Sequence, residues 1–418
     1  MSRTSSVPFD WSGASSAQRN TVWAAGLGWM LDAFDVLLYS LVLTRLMTDF
    51  GMSKATAGLL NSLTLIASAL GSVVIGVLAD RYGRRRMLSV SILIYSLFSF
   101  ACGLAQSVFL LAVFRFGLGV GMGGEWNSGT ALVAEAWPAP RRGRALGLVQ
   151  SSWAVGYALA AAVAGFLLPR TTWRAVFFVG LAPALLTLWI RRKVPETGAR
   201  DATHAAGPSF GTRFRAAWVG RRRAVLSLLV MNTCGMFAWW GLFTWLPAYL
   251  ELPLAQGGRG FQLLGTTQLL VLLNLGGMLP GYLVFGVLAD RVGRKPTLVA
   301  YLLAAALLVP LFAAARTPFS ILLTGGCVAF FGTGFFTGSG ILGSELFPAS
   351  IRATALGLTY TGARGLSALA PVVMGRLAEH RGLSYAFGAS ALGFALAALA
   401  ALTLPEPDSS VADSSAAV

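Results

Sequence analysis

The chain has 418 residues, 56% of them hydrophobic and only 11% charged, with a mean hydropathy of +0.70. Soluble domains carry about 25% charged residues, so this composition excludes an ordinary water-soluble protein and suits a bilayer, which about 20 apolar residues per helix can span. The net charge of +16 does not mark a nucleic-acid binder, because the basic residues sit in short loops beside apolar runs, with no aromatic interleaving on a polar face.

Residues 1–20 are polar and carry no cleavable signal, so they read as a tail, and the apolar run behind them as the first of twelve predicted helices. The first six fall near 22–45, 56–79, 87–105, 108–133, 145–168 and 173–190, a bundle spanning 21–190. Helix one contains Asp32 and Asp35, three apart and so on one helical face, with Tyr39 one turn beyond as a candidate cavity residue. Two acids so close repel when both are ionised, so one is expected to keep its proton near neutrality, as a proton carrier must. The alternative is that one acid only fixes packing. Either way Arg115, in helix four, is the expected partner, because a guanidinium stays charged and must be neutralised. Glu125, further along helix four, is a second proton-site candidate, against a structural pairing near the cytoplasmic mouth. Gln150 opens a polar stretch of helix five that continues through Ser151, Ser152, Trp153 and Tyr157.

Residues 191–221 are polar and rich in Arg, Gly and Ala, and read as a linker. Helices near 222–249, 263–289, 297–315, 318–343, 354–377 and 382–404 form a second bundle spanning 222–404, and 405–418 reads as a disordered tail. Asn232 and Trp239 mark helix seven, Asn274 helix eight and Tyr360 helix eleven as candidate substrate-binding residues. Trp and Tyr also gather at bilayer interfaces, whereas an idle amide in lipid is costly, so Gln150 and Asn274 are the stronger candidates. Arg364 in helix eleven has no acid in helices seven to nine to neutralise it. A buried cation in a cavity invites an anion, since Arg grips a carboxylate bidentately; the alternative is a pair across the bundles, with Asp35 a candidate. Cys102, Cys234 and Cys327 are scattered through apolar runs and read as packing residues, so neither disulfide, metal nor cofactor is expected.

Two motifs recur at a fixed offset. Gly76-Val-Leu-Ala-Asp80-Arg81-Tyr-Gly83-Arg84-Arg85 returns as Gly286-Val-Leu-Ala-Asp290-Arg291-Val-Gly293-Arg294-Lys295. Glu135-Ala-Trp-Pro-Ala-Pro-Arg-Arg142 returns as Glu345-Leu-Phe-Pro-Ala-Ser-Ile-Arg352. The chain is therefore one half repeated, with a site expected between the halves. With the N-terminus inside, 22 of the 32 Lys and Arg lie on the cytoplasmic side and eight on the other, which puts both termini in the cytoplasm of an inner-membrane protein. An acid at a helix end can bind the positive N-terminus of a neighbour. Asp80 is thus expected to face the start of helix eleven after Arg352, and Asp290 the start of helix five after Arg142, closing the cytoplasmic side. Glu135 with Arg142, and Glu345 with Arg352, read as structural latches.

The paired loop motif resembles the hallmark of the major facilitator superfamily, and Arg115-x-x-x-Gly119-x-Gly121 is similar to its conserved arginine motif. The resemblance implies an all-α membrane protein of two pseudo-symmetric six-helix bundles that works by alternating access. Gly28-Trp-Met-Leu-Asp32-Ala-Phe-Asp35 and Gly121-Met-Gly-Gly-Glu125-Trp resemble the sialate and organic-acid proton symporter branch and its carboxylate and nicotinate relatives. That implies proton coupling for the acidic pair. The expected function is proton-coupled import of a small organic anion (a monocarboxylate, aromatic acid or acidic sugar) by a monomer. A neutral-solute facilitator or symporter remains open, as does an efflux antiporter, although helix five lacks the Gly-Pro kink that such antiporters usually carry. No nucleophile–base or metal constellation supports enzyme chemistry.

Overall fold

Every regular element of the chain is helical among the described residues, as a backbone without water to satisfy it requires. The computed structural model describes residues 13–194, 215, 218–219, 221–347 and 349–405, without the side chains of 80, 127, 139–140, 142–143, 344, 349–350 and 352–353. The outer parts of both expected tails, most of the expected linker, and the side chains of Asp80, Arg142 and Arg352 therefore lie outside the description.

In chain order the helices are α1 (Ser16–Phe50), α2 (Lys54–Tyr82), α3 (Arg84–Gly103), α4 (Val108–Ala136), α5 (Ala139–Leu167) and α6 (Trp173–Val179, resuming at Ala184–Lys193). The second set is α7 (Arg222–Glu251), α8 (Leu263–Leu272, continuing through Leu273–Met278 and Leu279–Val292), α9 (Arg294–Ala314), α10 (Pro318–Leu346), α11 (Ala349–Leu356, Gly357–Thr361, Gly362–Ser367 and Ala370–Arg381) and α12 (Leu383–Leu402). Among the described residues, eleven of the twelve are long and apolar enough to cross a membrane. The other, α11, is broken twice: a π-helical stretch runs over Gly357–Thr361, and the chain turns before Pro371, which has no N–H to continue the ladder. Apolar windows underestimate the ends because the capping turns are polar. Thus α1 begins six residues before its window at N-cap Ser15, whose hydroxyl accepts from the Gln18 N–H at 3.2 Å, and stops at Gly51 with φ 59°.

The repeat is visible in the geometry. Gly83 and Gly293 turn from α2 to α3 and from α8 to α9 with φ of 100° and 107°, a region that favours glycine, and each donates its N–H to the motif alanine, Ala79 or Ala289. Arg84 pairs with Glu135 at 3.2 Å, and Arg294 pairs with Glu345. The two recurrent motifs are therefore one unit, the start of α3 or α9 fastened to the end of α4 or α10 within its own half. Gly71 lets α2 approach the Val120 backbone of α4, and Gly281 lets α8 approach the Phe330 backbone of α10 in the same way. Asp290 is exposed at the end of α8.

Between the halves α2 packs on α11, α5 on α8 and α1 on α7. Opposite the repeated loops, at what we term the far end, polar contacts cross this seam. Thr44 donates to Glu251 at 2.6 Å, Lys54 to the Gln256 carbonyl at 3.2 Å, and the Ala55 N–H to Glu379 at 2.8 Å.

Candidate functional site

The seam holds a narrow cavity of about 20 Å³ lined by Trp29, Gln150, Trp153, Met236, Trp239, Trp240, Tyr282, Phe336, Tyr360 and Arg364. Its wall is an aromatic chain that crosses the halves. Trp29 lies 4.6 Å from Trp153, and Trp153 lies 6.0 Å from both Trp239 and Trp240 of α7, ring centroid to centroid. Trp126, next to Glu125, stacks on Tyr360 of α11 at 6.3 Å. The Tyr282 hydroxyl meets the Gln150 side chain across α8 and α5.

Donors in this wall outnumber acceptors. The indole N–H groups of Trp29, Trp153 and Trp239 are buried without a protein acceptor among the described residues. Arg364 is 5% exposed, faces the cavity and makes no ion pair within 4 Å among them. Buried polar groups are normally hydrogen-bonded, so these indoles and the guanidinium around one space form an acceptor-shaped site. The charges nearest in effect to Arg364 are Asp32 and Glu125 of the first half, both buried and both within electrostatic reach of the guanidinium. Oδ2 of Asp32 and Oε2 of Glu125 likewise have no protein partner among the described residues.

The two acids of helix one part company. Asp35 accepts from Ser99 of α3 at 2.9 Å and borders Gly180, where a methyl would stand 2.6 Å from its Oδ1; it looks into the first half. Asp32 interacts with Arg364 and Glu125 instead, and the Glu125 carboxyl rests against Gly28 of α1. The expected pairing of an acid with Arg115 is not made. Arg115 is fully buried, its NH2 donates to Asn61 Oδ1 at 2.7 Å, and its guanidinium lies 4.0 Å from the Tyr39 ring centroid, so a π face and an amide oxygen stand where a carboxylate was expected, while its Nε and NH1 have no hydrogen-bond partner among the described residues.

Gln150, Trp239, Tyr360 and Arg364 line the cavity, whereas three other candidates do not. Tyr39 is buried in the first half, donating to the Ala57 carbonyl at 2.7 Å. Asn232 accepts from Ser339 at 2.6 Å, an internal tie of the second half. Asn274 donates to Leu270 one turn back at 2.7 Å inside the π-helical stretch of α8. Sequence reading missed Trp29, Met236, Tyr282 and Phe336, which look like any apolar span residue. It also missed Tyr95, whose buried hydroxyl has no partner among the described residues and lies in the field of Asp32, Asp35 and Glu125. The spacing Ser91, Tyr95, Ser99 was the available signal, a polar stripe along an apolar helix. No metal-binding cluster occurs among the described residues.

The sequence profile of the Major Facilitator Superfamily matches residues 24–278 and 260–417. A probable 4-methylmuconolactone transporter of Cupriavidus pinatubonensis is 35% identical over 411 residues, covering 95% of this chain and 93% of that one. The niacin transporter NiaP of Acinetobacter baylyi is 33% identical over 383 residues, covering 84% and 85%. The inward-open xylose transporter XylE of E. coli shares the fold with a TM-score of 0.74 at 19% identity, over 96% of this chain and 99% of that one.

Proposed function

The chain belongs to the major facilitator superfamily, a multi-pass membrane transporter and not an enzyme, and we propose that it imports a small aromatic or unsaturated carboxylate together with protons. The observation that carries the reading is the Arg364 guanidinium facing the cavity beside three indole N–H groups that have no acceptor among the described residues, inside an aromatic wall. A carboxylate answers the donors and a flat apolar body answers the rings. The probable 4-methylmuconolactone transporter and the niacin transporter among its relatives support the same class.

On this reading Asp32 is the first proton carrier and Glu125 the second. An incoming carboxylate takes the guanidinium of Arg364, and the acids that shared its field become better proton acceptors. Anion and proton then travel together as the halves rock about the seam. The charge bias of the loops supports an inner-membrane orientation with both termini in the cytoplasm, in which the far end faces outside.

Purified protein in liposomes tests this with benzoate and its neutral analogue benzamide. An inward proton gradient should accelerate benzoate uptake, and Arg364→Gln should weaken benzoate binding at least about thirty-fold, as removing one partner of a buried charge pair does. Benzoate binding that survives Arg364→Gln, or benzamide carried as well as benzoate, would favour the neutral-solute facilitator. Uptake that ignores the gradient would end the symport reading.

A further inference from the structure

One turn beyond Trp239 and Trp240, toward the far end, α7 presents Phe243 and Thr244 to the first half. Two side chains hold them. Pro247 lacks the N–H that would bond the Phe243 carbonyl, and Tyr157 of α5 donates its hydroxyl to that carbonyl at 3.3 Å. Asn61 of α2 donates Nδ2 to Thr244 Oγ1 at 2.9 Å, with both residues buried. These bonds form a layer across the halves, directly between the cavity and the far end.

The orientation of Asn61 is not free. A terminal amide turns over readily, and either end of Asn61 has a use for a hydroxyl. Arg115 decides between them, because a guanidinium donates only and so fixes Oδ1 toward itself at 2.7 Å, leaving Nδ2 for Thr244. Arg115 is itself held by the Tyr39 ring, and Tyr39 by the Ala57 carbonyl at 2.7 Å, one turn before Asn61 on α2. The chain of contacts runs α1, α4, α2, α7, and its last link alone crosses the halves.

We propose that Arg115 is the positioning residue of an outer gate: it orients the Asn61 amide, which with Tyr157 clasps α7 at Phe243 and Thr244 and closes the outward path above the anion cavity. The inference rests on the alternating-access reading but not on the identity of the cargo.

Spin labels at Thr48 of α1 and Leu264 of α8, both exposed at the far end on opposite halves, report the opening in protein whose three native cysteines are replaced by alanine. Thr244→Val, nearly isosteric, and Asn61→Leu should each raise the long-distance, outward-open fraction about fivefold without ligand, the worth of one neutral hydrogen bond. Asn61→Asp should not, because its carboxylate accepts from both Arg115 and Thr244. Arg115→Gln should match Asn61→Leu, while Thr244→Val leaves the pH midpoint of benzoate uptake unmoved. Unchanged distances in Thr244→Val and Asn61→Leu would overturn the gate. Arg115→Gln that moves the pH midpoint but not the distances would return Arg115 to the proton site. Because the distances are read without ligand, this test and the benzoate test of Arg364 fail independently.

Discussion

Asp32 and Asp35 are three residues apart, yet their neighbours give them separate tasks. Asp35 is held by Ser99 inside the first half, while Asp32 shares the field of Arg364 with Glu125. Proton-driven accumulation should therefore vanish in Asp32→Asn with benzoate counterflow retained, since counterflow needs no net proton movement. Asp35→Asn should lower both through packing. Equal loss of counterflow in the two variants would erase the distinction. Gly28 offers a subtler probe, because a methyl there meets the end of the Glu125 side chain rather than backbone. Gly28→Ala should leave folding intact and slow gradient-driven uptake several-fold, checked by melting temperature and initial rates. Sequence reading could find these charges, because a charge in an apolar helix is costly and visible. It could not tell which carboxyl faces which neighbour, since a shared helical face is wide enough to border two different helices.

Among the helices, the π-helical stretches lie in the second half, in α8 and α11, while the first half breaks in α6 between Val179 and Ala184. The π-helical stretch of α11 ends three residues before Arg364, and Ser367 donates to the Arg364 carbonyl at 3.0 Å where the helix loosens before Pro371. Apolar windows located every span but not these breaks, because a single π turn adds only about one residue to an otherwise α-helical apolar run; Pro371 was the one readable mark. A second device of α11 lies beyond its apolar stretch, at the exposed Glu379. Its carboxylate caps the N-terminus of α2 through the Ala55 N–H at 2.8 Å, and that bond, with Ser53 and the charges of His380 and Lys54, holds its pKa below the usual glutamate range. A lowered pKa means that the tie is present above the ordinary carboxylate range and is lost only as pH falls through the lowered value. Glu379→Ala should raise the outward-open fraction by about threefold at most, the scale of an exposed ion pair. The effect should be the same from pH 5.5 to 8, read by the Thr48–Leu264 distance. A rise that disappears at the acid end of that range would make Glu379 a proton sensor instead of a fixed cap.

Across the whole molecule the symmetry of the chain and the asymmetry of its charges have different consequences. The repeat makes the halves alike in how each is fastened internally, at Gly83 and Gly293 and at the pairs Arg84–Glu135 and Arg294–Glu345. The cavity breaks that likeness, with the acids on α1 and α4 and Arg364 on α11. On the proposed function, anion and proton sites are on opposite bodies, and their interaction is strongest when the seam is closed around both. Linkage then demands reciprocity: a bound proton raises anion affinity by the factor by which the anion raises proton affinity. Benzoate affinity should therefore climb as pH falls from 8 toward 5.5, by no more than about tenfold per unit for each proton taken up, until benzoate itself is protonated. Calorimetry in buffers of different ionisation enthalpy should show proton uptake on binding, reduced in Asp32→Asn and in Glu125→Gln. The Kd of Arg364→Gln should be nearly flat with pH, because the cation that joins the two sites is gone. A wild-type Kd that stays constant across that range, with no buffer-dependent heat, would separate anion binding from the acids and leave the two halves without the charge exchange that couples them.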